Sequence, residues 1–396
     1  MPLMAASTQE VQERLARDLN ILIVIVSKAW GGLEQTALSD ARLLTQQGFR
    51  VTMLISPNST VDRVIKDESP QINIEYAPEK VRNYFDPGLI RIIRYLVDKE
   101  GVNLIHCHQT TILGSVVPAL FRRNHVALVV SRHILNSHRK KDPVHALIYR
   151  RVDYILVLSR TMKINLKNTF PVEEKKLRTV NLGIDLSRFN PGMHDKAAMR
   201  ARWNIPKAAF LVGIVGRIDP MKGQDLLIKA IAQARLKIPT LHGLIVGNET
   251  PGLDGEYLAE LSSSIEQLRL TNEITILEAQ KDIPEVMAML DLFVMPSWSE
   301  AFGLVALEAM AMCVPCILSR AGSAEEIANN SGNALFRPKD AFDLAQKIME
   351  LYQNPTRRKE MGQRGREFVH ANHSKQFRLN KTLEIYARCF RRRISK

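Results

Sequence analysis

The sequence is short of cysteine, of aromatic residues and of long apolar runs, and each shortage excludes something. Four cysteines in 396 residues are too few for a disulfide-stapled scaffold. Cys313-Val-Pro-Cys316 has C-x-x-C spacing, yet no second ligand pair at zinc spacing accompanies it, and it lies between an apolar helix and an apolar strand. Two buried thiols are expected there rather than metal or redox chemistry. Aromatic residues make up only 6% of the chain and no nucleic-acid-binding motif is evident, so nucleic acid is not an expected partner. The longest strongly apolar run near the start, Leu19 to Val26, is broken by Asn20 and falls far short of the ~20 residues that span a bilayer. Residues 1–18 are polar and mixed in charge, unlike a secretory signal, so a cytoplasmic protein without a transmembrane helix is expected. The G-x-G-x-x-G fingerprint is missing as well, which disfavours a nicotinamide dehydrogenase.

What is present is a soluble composition, 45% apolar and 24% charged, in a length that suits two domains of roughly 200 residues. Charge is abundant and unevenly placed. The net charge is +14; the segment 122–151 carries eight Arg/Lys against one acid, and the tail 388–396 carries five against none. Those two segments account for 12 of the 14 charges and suit an anionic membrane surface, with ordinary solvated faces as the plainer alternative. A peripheral position on the cytoplasmic face of the inner membrane is the corresponding expectation.

Strand and helix patterns alternate along both halves. Residues 20–27 form an apolar run of the kind buried on both faces of a parallel sheet. Leu33, Thr36, Ala37, Ala41 and Leu44 then recur at helical spacing up to Gly48. Further strands are expected at 50–55, 102–106, 126–131 and 154–158, with helices near 87–100, 111–122 and 143–151. The rhythm breaks between Gly183 and Pro206 and resumes with strands at 210–215, 242–246, 274–277, 291–295 and 315–318, then helices near 340–352, 357–370 and 375–391. Such repetition predicts βαβ units: an α/β protein with two Rossmann-like, doubly wound parallel sheets. The expected boundaries are 1–188, a linker 189–206, a second domain 207–372, and a C-terminal helix 373–396 packing back toward the first domain.

Two loops carry candidate chemistry. In Ser297-Trp298-Ser299-Glu300-Ala301-Phe302-Gly303, a strand leads to a helix opening near Phe302, with Glu300 before the opening and Glu308 inside the helix. A helix start offers free N–H groups and positive partial charge to a phosphate, and flanking acids can accept hydrogen bonds from sugar hydroxyls. In Gly213-Ile-Val-Gly216-Arg217-Ile-Asp-Pro-Met-Lys222-Gly223, the first strand of the second half meets its first helix. Doubly wound folds bind ligands there, and Arg217 and Lys222 suit a shared pyrophosphate.

Together these motifs resemble family 4 of the retaining glycosyltransferases, which have the GT-B fold with two domains facing a central cleft. The family shows G-R-x-x-x-x-K-G, E-x-F-G-x-x-x-x-E and G-G-x-x-E in that order. The first two are intact here, and the third reads Gly322-Ser323-Ala324-Glu325-Glu326, with serine for the second glycine. The usual P-N-G-x-D reads Asn181-Leu182-Gly183-Ile184-Asp185, and Cys313 stands where glycine is common. The resemblance implies that Arg217 and Lys222 bind the donor diphosphate and Glu308 the nucleotide ribose. It places Glu300 at the donor sugar, beside the backbone of Ala301, Phe302, Gly303 and Leu304, with Gly216 in the same loop system. Gly31 and Gly32 match the first-domain loop near phosphate and acceptor, and His133 matches a histidine near the reacting carbon. His108 and Glu326 are further candidate substrate contacts; His106 shares a strand face with His108 and is a weaker one. No metal or cofactor is implied, and no D-x-D pair occurs.

The expected function is transfer of a sugar, with retention, from a nucleoside diphosphate sugar (UDP-linked first, GDP-linked next) to a hydroxyl acceptor. A lipid-linked glycan such as a lipopolysaccharide intermediate is the expected acceptor, because the loop 136–141 and the helix after it are basic and partly apolar. The alternatives are a non-catalytic nucleotide-sugar or carbohydrate-binding protein of the same fold and a nucleotide-sugar epimerase.

Overall fold

The computed structural model describes residue 13 and residues 15–394, apart from 83, 137 and 251. Most of the polar stretch 1–18 and the last two residues of the basic tail lie outside the described residues. The chain divides into two compact units, Met1–Asn181 with Gln376–Lys396, and Leu182–Lys375.

The first unit is a seven-stranded parallel sheet of β1 (Asn20–Ile25), β2 (Arg50–Ile55), β3 (Asn73–Tyr76), β4 (Leu104–Cys107), β5 (Ala127–Arg132), β6 (Tyr154–Val157) and β7 (Leu177–Thr179). Their spatial order is β3-β2-β1-β4-β5-β6-β7. All six residues of β1 are buried, as the apolar run Ile21–Ile25 requires at the centre of a sheet covered on both faces. The helix Gly32–Gln46 turns Ala37, Ala41 and Leu44 into the core, and Gly48 follows it at φ 80°. The C-terminal helix Lys375–Ile394 adds Leu379, Leu383 and Tyr386 to this same core.

The second unit is a six-stranded parallel sheet of β8 (Phe210–Val215), β9 (Leu241–Val246), β10 (Ile274–Leu277), β11 (Leu292–Met295), β12 (Cys316–Ser319) and β13 (Ala334–Phe336). Its order is β10-β9-β8-β11-β12-β13. Residues 189–206, expected as a linker, belong to this unit. The helix Lys196–Arg202 carries Arg200, whose buried guanidinium donates to the Met289 and Ala209 carbonyls and to the Asp291 carboxylate. A linker would leave such a cation in solvent; here it ties the segment to the start of β11.

In each sheet the strand order reverses once, between β1 and β4 and between β8 and β11. Doubly wound sheets bind ligands beyond the strand ends at that switch point. The loops after β8 and β11 are the two that hold the sequence motifs, and the loops after β1 and β4 hold Gly31, Gly32 and His108.

The cysteines are unpaired thiols. Cys316 is buried as expected, whereas Cys313 is only half-buried. Cys313 has φ 58°, in the left-handed region that favours glycine, which accounts for the glycine common at that position among the proteins it resembles.

Candidate active site

In the second unit, backbone contacts fix the loop Pro296–Gly303 against its neighbours before any side chain is considered. The Trp298 N–H donates to the Met221 carbonyl at 2.9 Å, joining the β11 loop to the β8 loop. The Glu300 carbonyl accepts from the Ser323 N–H at 3.0 Å and from the Ser323 hydroxyl at 3.2 Å. Serine in place of the second motif glycine thus adds a hydrogen bond to the Glu300 backbone. Gly322 is at φ 61°, and a Cβ there would lie 2.2 Å from the Glu300 carbonyl oxygen, so the first glycine of that motif has no substitute.

This framework carries Lys222 and Glu300 into contact, Nζ to Oε2 at 2.9 Å. Arg217 is exposed on the same β8 loop. Both cations act on Asp219: burial pushes that carboxyl up, but the Met221 N–H, the Thr250 hydroxyl and the charges of Arg217 and Lys222 hold it below the usual carboxylate range. Gly303, at φ 84°, caps the helix Leu304–Ala311, so the N–H groups of Leu304 and Val305 precede the first intrahelical bonds, which Ala306 and Leu307 make to the Gly303 carbonyl. A cation pair and a helix start beside an acid make a site for an anion that also carries hydroxyls.

Glu308 lies on the second turn of that helix. Burial pushes its carboxyl up to about 7, against the opposing pull of the Arg188 charge. Phe302 is buried, its ring 5.7 Å from His373, itself buried and lowered to about 4 by burial. Gly216 sits where the β8 loop abuts the β9 loop: a Cβ on Gly247 would lie 1.9 Å from the Gly216 carbonyl oxygen. Glu326 is in the first turn of the helix Ala324–Ser331, half-buried.

The first unit has a cavity of about 340 Å³ at its own switch point, with Ser27, Glu34, Tyr84, His108, Arg132 and His133 among its lining. Here the Gly31 N–H donates to the Glu34 carboxylate at 2.9 Å, and Gly32 begins the following helix. His133 Nε2 is 3.3 Å from His108 Nδ1, and His108 Nε2 is 3.7 Å from Asp40 Oδ2. Asp40 accepts two 2.7 Å bonds from Arg378. His106 spans Tyr386 (2.6 Å) and the cavity-lining Ser131 (2.8 Å). Sharing a strand face brings the His106 and His108 rings to 4.2 Å, and His106 is wholly buried with both ring nitrogens bonded within the protein. Burial lowers His133 to about 3 and His106 to about 4, with Arg378 adding to the effect, so these imidazoles are neutral hydrogen-bonding groups. Asp40, His106 and His108 lie close enough to share a metal ion, yet Arg378 already occupies the carboxylate and both His106 nitrogens have partners. A second cation there would meet the buried guanidinium at close range.

The model of the glycosyl transferases group 1 matches residues 195–368, and that of glycosyltransferase family 4 matches residues 30–188. The chain belongs to glycosyltransferase family 4. This family 4 glycosyltransferase is 27% identical to the D-inositol 3-phosphate glycosyltransferase of Mycolicibacterium smegmatis, over 81% of this chain and 78% of that one. It is 32% identical to the protein of the same name from Segniliparus rotundus, over 51% of this chain and 44% of that one. Among solved structures it is similar to a Rickettsia africae glycosyltransferase, with TM-score 0.84 and 21% identity, covering 94% of this chain and 98% of that one. Anabaena HepE in complex with UDP-glucose gives TM-score 0.77 and 21% identity, covering 93% and 99%. These likenesses give the transferase the GT-B fold.

Sequence reasoning about this glycosyltransferase missed Asp40, Arg378, Tyr386 and His373. Two of them carried a readable signal. Asp40 falls on the apolar stripe of its helix beside Ala37, Ala41 and Leu44, and Arg378 precedes Leu379, Thr382, Leu383 and Tyr386 on the buried side of the last helix. A charge on a buried stripe needs a partner. His373 shows no such pattern.

Proposed function

We propose that this transferase moves a sugar, with retention, from a UDP-sugar to a hydroxyl acceptor, and that the second unit holds the donor. The observation that carries the reading is the Lys222–Glu300 contact set beside the helix start capped by Gly303. As the bond between sugar and diphosphate breaks, negative charge grows on the leaving group. Lys222, held by Glu300, and the first-turn N–H groups are in place to stabilise it, with Arg217 on the same loop. Glu300 faces the sugar and Glu308 the ribose. UDP is favoured as the nucleotide because HepE, of the same fold, is described in complex with UDP-glucose.

The acceptor reading is a hydroxyl compound bearing an anionic group, held in the first-unit cavity where Arg132, Lys140, His108 and His133 converge. A membrane-anchored glycolipid fits the basic segment 122–151. A phosphate-bearing polyol is the second reading, supported by relatives named for D-inositol 3-phosphate. A thermal-shift screen decides the donor: UDP and one UDP-sugar are expected to stabilise by mass action, about 2.7 kcal/mol at a hundredfold excess over Kd. Adding acceptors one at a time and measuring UDP release then decides the rest. Conversion of the UDP-sugar to its epimer without acceptor would favour an epimerase, and no UDP release with any acceptor a binding protein.

Glu308 gives a second test. Its carboxyl, near 7 when free, takes up a proton below neutral pH. Ribose hydroxyls donating to the carboxylate would favour the anion, so the proton leaves on binding. UDP affinity is therefore expected to fall as pH drops below about 7, by at most about tenfold per unit, and to be flat above it. Glu308→Gln should abolish that slope. Calorimetry in two buffers of different ionisation enthalpy reads the released proton directly, and a slope unchanged in the variant would remove Glu308 from the ribose site.

A further inference from the structure

The two basic segments, far apart in sequence, meet around a second cavity of about 860 Å³ in the first unit. It lies at the opposite end of the sheet from His108 and His133. Asn124 precedes β5, Asp153 precedes β6 and Lys176 precedes β7, and all three line it. Residues 395 and 396 lie outside the described residues, but Arg392 and Arg393 of the tail are in its wall.

Positive charge in this wall exceeds what the protein neutralises. Asp153 is its one acid, and its Oδ2 also accepts the Leu128 N–H. Asp153 is 2.6 Å from Arg393 and 3.6 Å from Arg151, while Lys176 donates to the Tyr149 and Arg150 carbonyls. Arg151 Nε and Nη1 and Arg393 Nε are buried with no hydrogen-bond partner among the described residues. Burial, with Arg393 nearby, pushes the Arg151 guanidinium down to about 10. Unmet buried donors between crowded cations call for an anion. The floor is apolar, formed by Val117, Pro118 and Leu120, and two apolar side chains project at the rim: Phe121 is 66% exposed and Leu147 69%. A free phosphate would meet the guanidinium groups and leave Phe121 and Leu147 in water. A phosphate attached to acyl chains meets both needs.

We propose that this cavity seats the phosphate headgroup of an anionic phospholipid, with Phe121 and Leu147 among the acyl chains. The proposal rests on the membrane reading above and adds its site and its ligand. The test is flotation of the full chain with vesicles of phosphatidylcholine, alone or with phosphatidylglycerol. The parent protein is expected to float only with phosphatidylglycerol. Arg122→Ala/Arg150→Ala/Arg392→Ala should weaken partitioning roughly 10²-fold, since each basic residue near an anionic surface contributes about fivefold. Phe121→Ser/Leu147→Ser should weaken it with charge intact. Lys207→Ala/Lys237→Ala/Lys359→Ala, an equal charge loss on exposed positions of the second unit, should float like the parent; circular-dichroism melts confirm that each variant folds. Equal recovery of the parent with neutral and anionic vesicles would overturn both the site and the membrane reading. Flotation of the arginine variant like the parent, or an equal loss in the lysine control, would overturn the site alone. Stabilisation by inorganic phosphate that the arginine variant loses, without flotation of the parent, would overturn the lipid as occupant.

Discussion

Lys222→Ala is expected to lower the turnover number about 10²- to 10³-fold while moving the melting temperature by no more than about 3 °C. The two effects separate because the backbone, not the lysine, holds the loop. Gly223 at φ 75° packs against the Pro296 carbonyl, and the Trp298 N–H anchors to Met221, none of which needs the side chain of residue 222. The Lys222–Glu300 pair is partly exposed, 29% and 16%, so its own stabilisation is at most about 1 kcal/mol. On the proposed mechanism its charge matters when the leaving diphosphate gains charge. Arg217→Ala should fall in the same range, and the double variant should lose less than the product of the two, because both cations act on one leaving group. Lys222→Arg keeps the charge and should recover part of the rate. Steady-state UDP release with a fixed acceptor measures all four. A turnover within about threefold of the parent for Lys222→Ala would remove it from the reaction, and a large fall in melting temperature would make its role structural.

The central strands were legible because burial on both faces forces an uninterrupted apolar run, as in Ile21–Ile25 and Phe210–Val215. The strands that escaped, Asn73–Tyr76, Leu177–Thr179 and Ala334–Phe336, all lie at sheet edges. An edge strand is covered less completely, and Leu177 and Phe336 are the fully buried residues of the last two. Three residues with one buried member leave no period to detect. The site divides the same way. Lys222 and Glu300 were readable because each follows a strand end, and the parallel fold brings strand ends at one edge together. Arg188, whose charge bears on Glu308, follows no strand end and was not anticipated. The Asp40–Arg378 pair spans 338 residues, and only the folded first unit relates the two.

That pair supports the second large effect. Asp40→Ala should destabilise the first unit by about 3–5 kcal/mol, on the order of 10 °C in its melting transition, because it leaves Arg378 charged and 97% out of solvent. The Val180 and Asn181 carbonyls still accept from its Nη1, but carbonyl dipoles do not replace a carboxylate that took two 2.7 Å bonds. Arg378→Ala strands the opposite charge and should cost a similar amount. Asp40→Leu/Arg378→Met removes both charges at comparable volume and should recover most of the loss, as buried ion pairs often tolerate apolar replacement. A double variant as unstable as either single one would show that shape, not charge, is what the pair supplies. The recovered double variant also isolates a functional question. Asp40 is the carboxylate nearest His108 Nε2, and His108 touches His133 in the cavity. If Asp40 orients that histidine chain, the double variant should melt like the parent yet release UDP more slowly; if it serves the core alone, stability and turnover should return together.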